Sequence, residues 1–301
     1  MNVELFQANT RARRHREDIW GTVVTIDVRE LPSSELPADS QIDRAFARCV
    51  DFMHDVDATL STFRYDSAVT AYRSGWRKRY ELNRHNRADA MLLEVIEACE
   101  WGKVATQGTF DPWAVPGGFD PSGYVKGWAA EKMALILGEH GIHNFSVNAG
   151  GDVVNRGYAG VAGDSVATET GGTGELVGEA GLYGVGGESK AESTLVPWRI
   201  GVRHPDDASA IAASFEVTNA AITTSGTYER GMHIVNPFGA NGLRARSATV
   251  IGPDAGVAEI ASTALVVCGR EGAQWFGELG EYSAFGVDTG DTEHAWRIGA
   301  Q

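Results

Sequence analysis

Four stretches of the chain place apolar residues at every third or fourth position, the spacing that gives a helix one buried face. They cover residues 39–60, 89–106, 124–138 and 258–267. Asp39 or Ser40 can cap the first of these helices, and Gly269 can end the last one. The sequence therefore predicts four helices, each packed through an apolar face.

Shorter segments rich in β-branched residues, separated by turns, predict strands. They cover residues 20–28, 145–147, 153–154, 198–202, 214–217, 221–224, 233–235, 248–251 and 281–287. The strands follow one another through turns and do not alternate regularly with helices. This order favours an α+β fold with mixed or antiparallel sheets and packed helices.

Composition divides the chain into three regions. Residues 1–18 are polar and predict a flexible N-terminal segment. We expect residues 19–301 to form one domain. Within it, residues 159–193 are rich in Gly, Ala, Ser, Thr and Glu without any period, which predicts a flexible surface insertion.

The charge balance narrows the classes of function. A formal net charge of −14 opposes nucleic-acid binding, because proteins that grip a phosphate backbone need a basic face. A single nucleotide ligand needs only a few local donors and is not excluded. The three cysteines lie far apart in apolar surroundings and predict reduced core residues. No stretch is apolar enough for a membrane span or a signal peptide, so we expect a cytoplasmic protein.

The segment from Asp120 to Gly127 is the first candidate for chemistry. It places a carboxylate, a turn containing Gly123 and the ammonium group of Lys126 at the predicted start of a helix. Free N–H groups and the partial positive charge of a helix N-terminus favour phosphate there. The alternative is a capped helix with an exposed lysine.

A second candidate is the turn formed by Asn148, Ala149, Gly150, Gly151 and Asp152. Its two glycines can bring main-chain donors close to a ligand. Glycine pairs are equally typical of an ordinary hairpin turn, so both interpretations stay open.

The third candidate combines the hydroxyl-rich run Thr224, Ser225, Gly226 and Tyr228 with His233 on the following segment. The unperturbed pKa of histidine lies close to neutrality, which suits a group that takes a proton from a hydroxyl. The alternative is a histidine with a purely structural role.

Glu259 and Thr263 form the fourth candidate. They are four residues apart and share one face of the last predicted helix. Carboxylate and hydroxyl oxygens are hard ligands that suit Mg²⁺ when it also binds substrate phosphates. The alternative is a solvated glutamate and a threonine that bonds to its own backbone.

The order of these segments along the chain is more specific than any one of them. Gly21-Thr22, residues 61–67 and residues 108–112 come first, followed by the segments at 120–127, 148–151, 224–228, 233–237 and 259–263. This series, over about residues 20–270, resembles the ApbE-type flavin transferases, also called FAD:protein FMN transferases.

The resemblance implies a T-fold-like α+β protein with an FAD site in a cleft between lobes. It also implies transfer of FMN from FAD to a Ser or Thr hydroxyl of an acceptor flavoprotein, with release of AMP. The residues that it assigns to FAD are Asp120, Lys126, Asn148, Gly150, Gly151, Thr224, Ser225, Gly226 and Tyr228. Mg²⁺ is assigned to Glu259, Thr263 and a backbone carbonyl near Gly123, and deprotonation of the acceptor to His233.

Three features depart from the family pattern. Glu259 and Asn236 each stand where the family commonly has Asp, and the stretch between Asp111 and Asp120 is shorter than usual. Two other functions therefore remain open. One is an FAD pyrophosphatase, in which water replaces the acceptor and FMN and AMP are released. The other is a flavin-binding or carrier protein without catalysis.

Overall fold

The computed structural model describes residues 11–31, 35–161, 195–207, 209–227, 234–239, 242–289 and 295–299. Its helices are α1 (Asp39–Leu60), α2 (Ala68–Arg73), α3 (Arg87–Ala105), α4 (Val125–Glu139), α5 (Ala255–Cys268) and α6 (Ala273–Phe276). Short 3₁₀ turns cover Arg79–Glu81, Gly269–Gly272 and Gly277–Leu279. The first strands are β1 (Ala12–Ile19), β2 (Thr22–Arg29), β3 (Phe145–Ala149), β4 (Asp152–Arg156), β5 (Gly160–Val161) and β6 (Leu195–Val196). The others are β7 (Trp198–Arg203), β8 (Ile211–Val217), β9 (Ala220–Gly226), β10 (Ala245–Gly252), β11 (Ser283–Asp288) and β12 (Ala295–Gly299).

Eight strands form one sheet in the order β1-β2-β3-β4-β9-β10-β11-β12. Every neighbouring pair in it is antiparallel, as are the separate two-stranded pairs β5-β6 and β7-β8. The predicted α+β class with antiparallel sheets is therefore confirmed.

Helix α5 lies at the centre of the molecule. It packs against β9, β10 and α4, and most of its residues are buried. Helix α4 contributes to two cores. Trp128 and Ala129 join the core around α3 and α5, while Met133 and Leu137 join the core of α1 with β2 and β3. Packing against several elements therefore fixes α4 and α5, the two helices that carry candidate residues.

All four predicted helices are present, but the start of the first one differs from expectation. Its N-cap is Ala38, which offers no side-chain hydrogen bond, and neither Asp39 nor Ser40 caps it. The Asp39 carboxylate instead accepts hydrogen bonds from Arg11 and Arg13, the latter at 2.7 Å. At the other end of the chain, α5 ends at Gly269, as predicted, and this residue has a positive φ of 58°.

Residues 1–18 were predicted to be flexible, but residues 12–18 lie in strand β1. The strand has no apolar period: its positions alternate between exposed and half-buried, and many are charged. Arg14 lies opposite Asp27 on β2 and donates to it at 2.7 Å. Charged side chains of this kind are typical of an edge strand, where they discourage pairing with other chains.

The prediction of a strand at residues 233–235 is also wrong for the two residues that the structure describes. Ile234 and Val235 lie in a loop, because this β-branched pair packs beside a cavity instead of pairing with a sheet. Most of the predicted insertion at 159–193 falls outside the described residues, and Gly160–Val161 pairs with Leu195–Val196 at its base.

No helix within the described ranges combines the length and the apolar character needed to cross a bilayer.

Candidate active site

The N-terminal ends of α4 and α5 meet because two glycines allow close approach. A Cβ added to Gly127 would lie 2.3 Å from the carbonyl oxygen of Ala255. One added to Gly256 would lie 2.6 Å from the ring of Tyr124. Each distance is shorter than any real Cβ contact, so both positions need glycine. This crossing brings Lys126 on α4 to Glu259 on α5.

Lys126 bridges two buried carboxylates. Its Nζ donates to Asp152 and, at 2.5 Å, to Oε1 of Glu259. The other oxygen of Glu259 accepts the backbone N–H of Gly127 at 2.8 Å. The side chains of Asp152 and Glu259 are each only 3% exposed. The ammonium group of Lys126 therefore meets both carboxylates with little access to water.

The pKa values in this cluster follow from burial and from the neighbouring charges. Burial alone lowers the pKa of Lys126, but the charges of Asp152 and Glu259 outweigh that effect and raise its pKa above the ordinary value. Burial, followed by the charge of Asp152, raises the pKa of Glu259. The lysine is therefore protonated at neutral pH, and its positive charge holds the cluster together.

A row of hydroxyl groups connects β9 with α5. Ser225 Oγ lies 2.9 Å from Ser262 Oγ and 3.1 Å from Thr263 Oγ1. Thr224 points to the other side of the strand, where its hydroxyl lies 2.9 Å from Thr249 Oγ1. Ser225 therefore orients the hydroxyl of Thr263, one of the expected metal ligands.

Gly123 lies directly against Thr263. A Cβ added to it would be 3.2 Å from Thr263 Oγ1 and 3.1 Å from the ring of Phe110. Nearby, Asp120 Oδ1 accepts hydrogen bonds from both N and Oγ of Ser122, at 3.0 and 2.5 Å. Asp120 thus fixes the turn that leads into α4 and presents Gly123.

The turn between β3 and β4 is closed by Asn148, whose Oδ1 accepts the N–H of Gly151 at 2.9 Å. Gly150 has φ 69° and packs on Thr22, so that an added Cβ would come 2.7 Å from the threonine hydroxyl. Asn148 and Gly151 shape this turn, while Gly150 is the member that reaches the cavity described next.

One cavity of about 290 Å³ gathers the expected residues. Nine of them line it: Asp120, Gly123, Lys126, Gly150, Thr224, Ser225, Gly226, Glu259 and Thr263. A neighbouring cavity of about 480 Å³ shares Phe63, Ser122 and Lys126 with the first. The two volumes are on the scale of known ligand sites, about 300–1,000 Å³.

Four expected residues are not among those that line the cavity. Asn148 and Gly151 do not line either cavity, for they stabilise the turn behind Gly150. Tyr228 and His233 lie outside the described residues.

Three residues at or beside the site had no role assigned from the sequence: Asp152, which pairs with Lys126, and the cavity-lining Phe63 and Trp20. Asp152 was visible as the last residue of the glycine turn but had no assigned role, because its partner Lys126 is 26 positions away. Phe63 lies in the segment 61–67, which contributed to the family resemblance only as a motif. Trp20 lines the larger cavity from the β1–β2 turn, where its Nε1 donates to the carbonyl of Met53 at 3.1 Å.

The fold is shared with flavin transferases of known structure. Over 96% of this chain and 97% of the other, the fold matches the flavin transferase ApbE from Vibrio cholerae with a TM-score of 0.69 at 17% identity. The flavinyl transferase ApbE from Pseudomonas stutzeri, in its apo form, matches with a TM-score of 0.68 at 17% identity, over 98% of this chain and 96% of the other. At these identities the likeness shows the fold.

The chain belongs to the ApbE family, whose family model matches residues 115–286. In sequence it is 28% identical over 166 residues to a protein of Klebsiella pneumoniae (strain 342) named FAD:protein FMN transferase. That match spans 52% of this chain but only 38% of the Klebsiella protein. The resemblance found from the order of the motifs is thereby confirmed.

Proposed function

We propose that this protein transfers FMN from FAD to a Ser or Thr hydroxyl of an acceptor flavoprotein, with Mg²⁺ bound at the site. The hydroxyl oxygen bonds to the phosphorus of the FMN half, the bond from that phosphorus to the AMP phosphate breaks, and AMP leaves. The proton of the hydroxyl passes to a base, a role that the proposal gives to His233 from the sequence alone.

One observation carries the proposal. Nine expected residues from four separate parts of the chain, at 120–126, 150, 224–226 and 259–263, line a single cavity. Chance proximity of so many glycines, hydroxyls and charged groups in one cavity is a poor explanation. Glycines let a ligand approach the backbone, hydroxyls donate to phosphate oxygens, and Lys126 brings a positive charge.

The residues present fit a magnesium ion. Thr263 Oγ1, the backbone at Gly123 and the carboxylate of Glu259 border the same cavity, and all offer hard oxygen donors. Each oxygen of Glu259 already accepts one hydrogen bond but keeps a further lone pair. In the described part of the chain, no group of three or more His, Cys, Asp or Glu side chains could hold a metal. Substrate phosphates and water would complete the shell, as is usual for Mg²⁺.

When bound, the ion neutralises negative charge on the two phosphates. The protein's own groups position the reactants, which is the larger part of catalysis in transfers of this kind. Ser225 orients the Thr263 hydroxyl, and Asp120 fixes the turn that carries Gly123. Phe63 lies where the two cavities meet and can separate the two halves of a dinucleotide.

The decisive experiment mixes the purified protein with FAD and MgCl₂, with and without a candidate acceptor encoded beside it. Transfer predicts AMP only in the presence of acceptor, together with acceptor fluorescence that survives denaturation. AMP and free FMN without acceptor would instead identify an FAD pyrophosphatase. Tight FAD retention without AMP would identify a carrier, and neither retention nor AMP would contradict all three functions.

The proposal also places the reaction in the cytoplasm. All three cysteines, Cys49, Cys99 and Cys268, are free. Burial raises the pKa of Cys49 to about 12 and also raises the pKa of Cys99. Unpaired thiols of low reactivity are in keeping with a reducing compartment.

A further inference from the structure

The buried cluster around Lys126 contains one more carboxylate than the ligand set needs. Asp152 begins β4 immediately after the glycine turn and is 2% exposed. Its carboxylate is 26 positions from Lys126 in sequence and accepts a hydrogen bond from its Nζ. Glu259, equally buried, accepts a second hydrogen bond from the same ammonium group.

This geometry shares one ammonium group between two carboxylates. A lysine paired with Glu259 alone would neutralise that carboxylate and weaken its attraction for a cation. With Asp152 as a second partner, the ammonium group is shared and is not directed at Glu259 alone, and charge interactions are strong where water is largely excluded. Glu259 lies with Thr263 and Gly123 at the wall of the cavity.

We propose that Asp152 is a positioning residue for the divalent-cation site: it holds Lys126 away from exclusive pairing with Glu259 and so leaves Glu259 able to bind the ion. The inference rests on the metal site of the proposed function. It concerns Mg²⁺ binding itself, and it holds whether the bound flavin is transferred, hydrolysed or only retained.

The test measures binding of Mn²⁺, a spectroscopic substitute for Mg²⁺, to the full chain by the electron paramagnetic resonance signal of the free ion. Titrations are made with and without FAD. Asp152→Asn keeps the shape of the side chain but removes its charge, so Lys126 then pairs with Glu259 alone. We expect the Mn²⁺ dissociation constant to rise about 10-fold or more, the scale seen when groups that orient metal ligands are lost.

A double-mutant cycle separates positioning from simple loss of charge. The same Asp152→Asn change is made in the Lys126→Met background, where no ammonium remains to be held. There we expect a distinctly smaller factor, because residues that act through one another are not additive. Equal factors in the two backgrounds would overturn the inference. Asp152→Glu, which restores the charge, should recover most of the affinity, and no recovery would count against it.

Glu131→Gln is the matched control. Glu131 is a largely buried carboxylate on α4 that pairs with Arg156 at 2.6 Å and lines neither cavity. If it weakened Mn²⁺ binding as much as Asp152→Asn, general destabilisation would explain both, and the inference would fail. Absence of Mn²⁺ binding by the wild type would remove the metal from the proposed function. If the wild type binds Mn²⁺ but the effects of the Asp152 and Lys126 substitutions are additive, only the proposed role of Asp152 is disproved.

Discussion

Gly127 of α4 lies directly beneath the carbonyl of Ala255 in α5, with room for a hydrogen atom and nothing larger. A methyl group there would come 2.3 Å from the carbonyl oxygen. The same residue donates its N–H to Glu259 at 2.8 Å. Gly127 therefore contributes both to the contact between the two helices and to the geometry of the charged cluster.

Gly127→Ala should push the two helices apart. We expect the free energy of unfolding to fall by about 1–3 kcal/mol, the usual cost of overpacking, and metal binding to weaken with it. Gly138→Ala in the same helix is the control, since nothing lies within 4 Å of an added Cβ there. It should gain up to about 1 kcal/mol from helix propensity. Urea unfolding of both variants measures the contrast, and similar losses would contradict the packing argument.

Ser225→Ala should weaken metal binding without removing any ligand. Its hydroxyl lies 3.1 Å from Thr263 Oγ1, and its loss leaves the threonine free to rotate. We expect the Mn²⁺ dissociation constant to rise about 10-fold. Thr224→Ala is the companion variant, because that hydroxyl bonds to Thr249 and not to the proposed ligand Thr263. Calorimetric titration that found the two variants equally affected would refute the orienting role of Ser225.

Glu259→Gln tests the proposed metal ligand while preserving the shape of its side chain. The amide oxygen can still accept the N–H of Gly127, so the fold should persist with nearly unchanged circular dichroism. A neutral amide is a poor ligand for Mg²⁺, and we expect metal-dependent release of AMP to fall to background. Turnover at the wild-type rate would show that Glu259 does not bind the ion.

A pH dependence of stability follows from Asp89, which lies away from the cavity. It accepts hydrogen bonds from both terminal nitrogens of Arg77, at 2.6 and 2.8 Å, and from the N–H of Asn83 at 3.0 Å. Hydrogen bonding to Arg77 lowers the pKa of Asp89 in the folded state. Stabilisation from a lowered carboxyl pKa is complete above the unfolded pKa, about 3.9, and disappears as the pH falls through the folded value.

Asp89→Asn should therefore be less stable than the wild type at pH 7, by about 1–2 kcal/mol, because one partner of a partly exposed pair is lost. The difference should shrink as the pH falls below about 4. Urea midpoints of the two proteins from pH 7 to pH 3 provide the comparison. A constant gap over that range would show that the ion pair does not supply the stabilisation.

Much of the fold was predictable because α1, α3, α4 and α5 carry an apolar period along the chain. Strand β1 was not, since its charged residues alternate only between exposed and half-buried and gain their partners on β2. Ile234 and Val235 have the composition of a strand, but a cavity wall needs the same apolar side chains as a sheet.

The site likewise combines features that the sequence predicts with features that only the folded structure reveals. The spacing of Glu259 and Thr263 was enough to place both on one helix face, and both line the cavity. The role of Asp152 could not, because it depends on a contact with Lys126 that only the crossing of α4 and β4 creates. Ser225 was predicted to bind FAD, and the structure adds its hydrogen bond with Thr263, which links β9 to α5.

Helix α5 is almost wholly buried, yet it supplies two of the groups expected to hold the ion. Occupancy of the site is therefore coupled to the global unfolding of the protein and not to the ordering of a surface loop. Ions and nucleotides that bind there should raise the melting temperature of the whole molecule in proportion to the logarithm of their concentration. A simple thermal-shift screen can thus rank ligands before any acceptor protein is known.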